Sequence, residues 1–222
     1  MIVVRGKRTQ EMDAAALAAL VAGYAGVTID VGAGDGRFAY RYAQQHGERF
    51  VIGMDPVAEN MAELSAKAGR KPARGGLANV LYVVASVERV PDELRGVADE
   101  IYVTLPWGSL MRGLILADDV VLSGLASLAR DGAALRIVLN TRIFDDPVPL
   151  EARDLPELTP DYVRDTLAPA YNHHGIYVTD ARFMSAEEVA ALPTTWAKRL
   201  SHRAPPRSVY VECVVRGADR AG

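Results

Sequence analysis

Short apolar runs alternate along this chain with stretches whose apolar residues recur at helical spacing. Val27–Val31, Phe50–Met54, Val80–Val84, Glu100–Leu105 and Ala133–Leu139 read as strands. Between them, Phe38–Gln45, Val57–Ala68 and Asp119–Ala129 read as helices. The second of these begins after Pro56, which suits a first turn, and the third is stopped by Asp131-Gly132. Ahead of this block, Met1–Gln10 reads as a hairpin turning at Gly6 and Ala14–Val21 as an alanine-leucine helix. Behind it come a helix at Tyr162–Tyr171, a sixth strand at Gly175–Met184 and a last strand at Ser208–Val215. Ser185 and Glu188 stand at capping-box spacing and open a helix through Ala191. Strand-helix alternation predicts an α/β sheet with right-handed crossovers and ligands at the strand C-terminal ends. The expected sheet is seven-stranded and mostly parallel, with an antiparallel last strand and an N-terminal hairpin.

Residues 1–222 read as a single domain, with 1–10 as the hairpin and three inserted linkers, 67–79, 141–160 and 193–207. Half of the residues are hydrophobic, enough for a sizeable core, yet no apolar run reaches membrane-span length. The first eight residues are too charged for a signal peptide. Cys213 is the only cysteine, so no intramolecular disulfide forms, and its alternating apolar surroundings fit a core strand in a reducing cytoplasm. No His/Cys group has zinc-ligand spacing, and His173-His174 reads as a loop, so no metal is expected.

The segment Asp30-Val31-Gly32-Ala33-Gly34-Asp35-Gly36 joins the first sheet strand to the following helix. Strand, glycine loop and helix form a nucleotide-binding turn, because glycines let the backbone turn tightly and approach a ligand. Asp55 closes the next strand, where an acid accepts hydrogen bonds from a ribose diol. The third position of the dinucleotide fingerprint is Arg37 rather than glycine, and Asp30 and Asp35 flank the loop. Acids repel a pyrophosphate but suit the sulfonium and amino group of S-adenosyl-L-methionine. The reading is therefore a methyl-donor site.

The net charge of −3 argues against a nucleic-acid partner, but its distribution argues for one. Lys67, Arg70, Lys71 and Arg74 form one basic cluster, Lys198, Arg199, His202, Arg203 and Arg207 a second, and Arg5, Lys7 and Arg8 a third. Acids concentrate elsewhere, which suggests a segregated basic face.

Both tryptophans of the chain belong to linkers expected at the catalytic rim. Trp107 follows the fourth strand in Leu105-Pro106-Trp107-Gly108, and Trp196 precedes the last strand in Thr194-Thr195-Trp196-Ala197-Lys198-Arg199. A proline-aromatic step at the first place can stack on a flipped base while a backbone carbonyl accepts from its exocyclic amine. Trp196 could close the other side.

With these segments on view, the chain resembles the aminoglycoside-resistance 16S rRNA (adenine-1408) N1-methyltransferases of the kanamycin–apramycin type. The matching segments run Ile29–Arg37, Ile52–Asn60, Lys71–Val80, Leu105–Leu110 and Thr195–Leu200. The resemblance implies the Rossmann-like fold of class I S-adenosyl-L-methionine-dependent methyltransferases. Around cofactor and base it implies Gly32, Asp55, Glu88, Pro106, Trp107, Thr194 and Trp196, joined by Asp30, Gly34, Pro56, Val87 and Leu105. Pro106, Trp107 and Trp196 would position the base. Lys67, Arg70, Lys71, Arg74, Lys198, Arg199, Arg203 and Arg207 would meet 16S rRNA in the assembled small ribosomal subunit. A cytoplasmic monomer is expected. Adenine N1 carries its own lone pair, so orientation rather than a general base would drive transfer. Two rivals remain: another RNA methyltransferase, such as a tRNA guanine-N7 enzyme, or a non-catalytic rRNA-binding protein of the same fold.

Overall fold

The computed structural model describes residues 1–141, 154–192 and 208–216. Its strands are β1 (Ile2–Arg5), β2 (Arg8–Glu11), β3 (Gly26–Val31), β4 (Arg49–Asp55), β5 (Val80–Val84), β6 (Ala98–Thr104), β7 (Ala129–Asn140), β8 (Ile176–Phe183) and β9 (Ser208–Val215). They make one sheet in the order β2-β1-β5-β4-β3-β6-β7-β9-β8. Pairings from β5 through β7 are parallel, and β9 runs antiparallel to both β7 and β8. The expected seven strands are all present. The hairpin does not stand apart from them, because β1 pairs antiparallel with β5 and widens the sheet to nine.

Helices α1 (Ala14–Val21), α2 (Arg37–Gln45), α3 (Ala58–Ala68), α4 (Gly108–Ile115) and α5 (Asp119–Leu128) form on the crossovers. β3, β4 and β5 are buried along almost their whole length because layers cover both sides, whereas β6 alternates buried and half-buried positions. One core cluster joins Ile29, Ile52, Leu81, Ile101 and Ile137 to Leu114 and Leu125. The other packs Ala39, Tyr40 and Met61 on Val51 and Tyr82. Further along, α6 (Pro160–Tyr162), a π turn (Val163–Leu167) and α7 (Ala168–Asn172) follow one another, and the hydroxyls of Tyr162 and Tyr171 donate to Ile115 and Leu114 carbonyls at the end of α4. The capping box at Ser185 and Glu188 opens α8 (Ala186–Ala191).

Two local expectations change. Asp131-Gly132 does not separate α5 from its strand. It lies inside β7, in an irregular stretch where the pairing with β6 jumps from Ala98↔Ala129 to Glu100↔Ala134, and Gly132 takes φ +79°. The linker expected at 67–79 starts inside α3, which runs to Ala68, and is ordered beyond it: Pro72–Arg74 forms a 3-10 turn, and the Asn79 amide donates to the carbonyls of Ala43, His46 and Arg49. Helix α4 had no counterpart in the sequence pattern.

Candidate active site

A cavity of about 540 Å³ opens at the C-terminal ends of β3 to β6, within the size range of cofactor pockets. Asp30, Gly32, Gly34, Asp55, Pro56, Val87, Glu88, Leu105, Pro106 and Trp107 all line it. Thr194 and Trp196, expected beside them, lie outside the described residues.

The glycine loop is held open by its own backbone. Gly32, Gly34 and Gly36 all have positive φ, which only glycine adopts without strain. Gly32 and Ala33 N–H groups both donate to the Met54 carbonyl, at 2.9 and 3.0 Å. A Cβ at Gly36 would stand 2.5 Å from the Tyr82 ring, whose hydroxyl donates to the Gly36 carbonyl at 3.1 Å. At Gly34 a Cβ would meet nothing within 4 Å. So Gly36 is needed for packing, and Gly34 leaves its side of the loop clear for a ligand.

Asp55 holds two backbone N–H groups. Its carboxylate accepts from the Gly34 N–H and from the Val57 N–H, each at 2.9 Å, and so ties the loop to the start of α3. Its remaining lone pairs are the ones a ribose diol could use. Asp30, at 2% exposure, is different: its Oδ2 is buried without a hydrogen-bond partner. Burial above all pushes this carboxyl up to about 8, repulsion from Asp55 and Asp35 adds to the shift, and the Ala39 N–H opposes it. Thr104 Oγ1, at the end of β6, is likewise buried and unpartnered. Glu88 accepts from the Ser109 hydroxyl at 3.0 Å, which links the loop after β5 to α4. Burial works against its charge, but hydrogen bonds from its own N–H, Ser86 and Ser109 outweigh that and hold it below the usual carboxylate range.

The opposite rim is built from Leu105 to Leu110. Leu105 has φ +53°, a left-handed conformation rare outside glycine, and its N–H donates to the Val138 carbonyl at 2.8 Å. Its side chain packs with Val138, Met184, Leu192 and Tyr210. This backbone reversal sends Pro106 into the cavity wall and presents Trp107, 44% exposed, at the mouth. A Cβ on Gly32 would come within 2.9 Å of Leu110, so the two rims meet there.

The whole chain except its ends, residues 2–215, matches the family model described as 16S rRNA (adenine(1408)-N(1))-methyltransferase. The chain belongs to this family. A relative of the same name from Streptoalloteichus hindustanus is 43% identical over 89% of this chain and 91% of its own length. One from Escherichia coli is 33% identical over 90% and 92%. Among solved structures, a mutant of the Catenulisporales acidiphilia enzyme with cosubstrate SAM superposes with TM-score 0.92 at 38% identity, covering 99% of this chain and 98% of that one. The 16S rRNA methyltransferase KamB gives 0.90 at 39% identity, covering 98% and 100%. The fold is thus the class I methyltransferase fold.

The residues present suit S-adenosyl-L-methionine. The unpartnered Asp30 oxygen suits an ammonium group, the clear side of Gly34 suits close approach, and Asp55 stands where a ribose would need acceptors.

Outside the cavity, Arg70, Lys71 and Arg74 are exposed and converge on one surface hollow. Lys67 is half-buried, its ammonium 4.5 Å from the Tyr40 ring centroid, and the Tyr40 hydroxyl donates to Gly75. Lys198, Arg199, Arg203 and Arg207 lie outside the described residues. Both ends of their segment are anchored, however: Leu192 packs near Leu105, and Ser208 pairs with Asn140. Sequence reasoning missed Thr104, Ser109, Phe38 and Tyr82. For Thr104 a signal existed, a lone hydroxyl ending an apolar strand. Among the described residues no His, Cys, Asp and Glu groups could hold a metal. His174 instead bridges Asp119, at 3.0 Å, and Ser123.

Proposed function

We propose that this protein methylates N1 of adenine 1408 in 16S rRNA, using S-adenosyl-L-methionine, and thereby confers aminoglycoside resistance. The observation that carries the reading is one cavity with a buried carboxyl that keeps one unpartnered oxygen on one side and a half-exposed tryptophan on the other. Bound S-adenosyl-L-methionine would supply a sulfonium methyl, and the in-plane lone pair of adenine N1 needs no base to take it. The protein's contribution is orientation. Asp30 would face the ammonium end and Asp55 the ribose. Trp107 would stack on the flipped base, with the Pro106 carbonyl near its amine and Trp196 on the far face. Flipping costs a few kcal/mol, and stacking at about 1–3 kcal/mol per base can offset it.

The substrate form in this reading is the assembled small subunit, met by a cytoplasmic monomer of one methyltransferase domain. Arg70, Lys71 and Arg74 support it, since exposed cations on one turn suit a phosphate backbone. So do the basic residues of the 193–207 linker, Lys198, Arg199, Arg203 and Arg207.

The test is transfer of a tritium-labelled methyl group to purified small subunits, mapped by reverse-transcriptase stops. A single new stop at adenine 1408 is expected, along with kanamycin and apramycin resistance in a susceptible host. Labelling of tRNA instead, or cofactor binding with no transfer, would overturn the reading.

A further inference from the structure

We propose that the N-terminal hairpin is a second rRNA-docking element, in which Arg5, Lys7 and Arg8 continue the basic turn Arg70–Arg74 as one phosphate-binding edge. This rests on the rRNA-methyltransferase reading above.

The charge pattern comes first. Residues 1–10 and 65–79 contain seven lysines and arginines and no acid, in a chain with 28 acids and net charge −3. The fold joins these two stretches. The Gly6 N–H donates to the Ser65 hydroxyl at 3.0 Å, and that hydroxyl donates to the Val4 carbonyl at 2.7 Å. Gly6 faces Ala66. Arg70 follows directly on the C-cap of α3, Gly69.

These cations are also left uncompensated. Several arginines elsewhere are paired: Arg49 with Glu100, Arg112 with Asp154, Arg136 with Glu212, Arg182 with Glu188. Arg5, Lys7, Arg8, Arg70, Lys71 and Arg74 are exposed and make no salt bridge among the described residues. Within the hairpin, Arg5 and Arg8 stand directly opposite each other. Like charges in that position destabilise a strand pair. Strand β2 is exposed throughout, so its side chains add nothing to the core. A polyanion resolves the conflict, and the phosphodiester backbone of folded rRNA is the one this site implies.

The position predicts which phosphates. Ile2 pairs with Val84 at the cavity end of β5, and β1 runs away from it. At about 3.3 Å per residue, Arg5 is roughly 10 Å further from the rim. The hairpin would therefore grip backbone remote from the target base, adding affinity without touching the chemistry.

The experiment uses the full chain with Arg5→Gln, Lys7→Gln and Arg8→Gln combined, and purified small subunits titrated between about 50 and 200 mM salt. The expected result is weaker binding, with the log–log salt slope shallower by about 2 to 3. Affinity for S-adenosylhomocysteine should stay unchanged, and the melting temperature unchanged or slightly raised. A parallel variant, Lys71→Gln with Arg74→Gln, separates the possible failures. If it loses binding while the hairpin variant keeps the parental affinity and slope, the hairpin proposal is overturned and the enzyme reading stands. If neither variant moves, the docking edge itself is wrong.

Discussion

The two rims of the cavity are made in different ways. On the donor side, Asp30 and Asp55 are buried, the glycine loop is tied to the Met54 carbonyl and to the Asp55 carboxylate, and Tyr82 fills the space a Cβ would take. On the acceptor side, a left-handed Leu105 turns the chain outward and leaves Trp107 44% exposed. The donor rim is finished before any ligand arrives, apart from one carboxyl oxygen. The acceptor rim holds backbone strain of the sort found at functional sites, on the order of 1–3 kcal/mol, and leaves its tryptophan partly exposed. A small cofactor can be enclosed, whereas a base that belongs to 16S rRNA must be met at the surface.

The largest effect should come from removing the residue that serves the donor rim twice. Asp55→Ala deletes acceptors for Gly34, Val57 and the ribose together, so calorimetry with S-adenosylhomocysteine should detect no binding. Parental affinity in that variant would remove Asp55 from the site.

Trp107→Ala should instead separate the rims. Losing one stacking face at about 1–3 kcal/mol lowers methylation of small subunits by roughly 5- to 150-fold. Cofactor affinity and melting temperature should stay near parental values, since the indole is not a core group. Trp196→Ala should behave alike. For either residue, a melting point lowered by many degrees would mean a core role and would break the comparison.

Asp30 sharpens it through pH. The folded protein without cofactor keeps this proton up to about 8, whereas the unfolded chain releases it near the ordinary 3.8. Its contribution to stability is therefore full below the unfolded value and falls as pH rises through that window, levelling off above 8. Asp30→Asn should flatten that slope in thermal melts. A cationic ligand favours the ionised form, so cofactor binding should tighten as pH rises toward 8 and release a proton. Calorimetry in buffers of different ionisation enthalpy measures that release, and none would mean that Asp30 does not face the cation.

The smallest effect tests the rigidity of the donor rim. Tyr82→Phe removes only the hydrogen bond to Gly36, at a cost of about 1 kcal/mol. The melting temperature should drop by roughly 2–4 °C, with cofactor affinity changed less than about threefold. A much larger loss of affinity would mean that the loop depends on Tyr82 for its shape as well as its support.

Much of the donor rim was legible in the sequence because it is local. A strand, three glycines and a helix follow one another in a single stretch, and Asp55 ends the neighbouring strand, so spacing alone brings them together. The structural use of Asp55 was not legible, since it depends on where the Gly34 and Val57 N–H groups point. Helix α4 escaped because Gly108-Ser109 dilutes its opening turn. The Asp131-Gly132 pair misled because its turn preference is accommodated inside a strand, where Gly132 can take positive φ. The basic turn was visible as composition, but its packing on Tyr40 was not.

By itself the sequence determined the α/β alternation, the glycine loop with its flanking acids, the tryptophan after the fourth strand and the clustering of basic residues along the chain. These follow from periodicity, from the conformations only glycine allows, and from residue chemistry. Tertiary structure alone decided which groups are isolated from water and which remote segments touch. Burial under α2 leaves Asp30 with an unpartnered oxygen and a raised affinity for its proton. Packing across β7 to β9 holds Leu105 in its left-handed turn, and a hydroxyl on α3 draws the hairpin beside the basic turn. Desolvation and long-range contact depend on the assembled neighbours, and no local pattern encodes them.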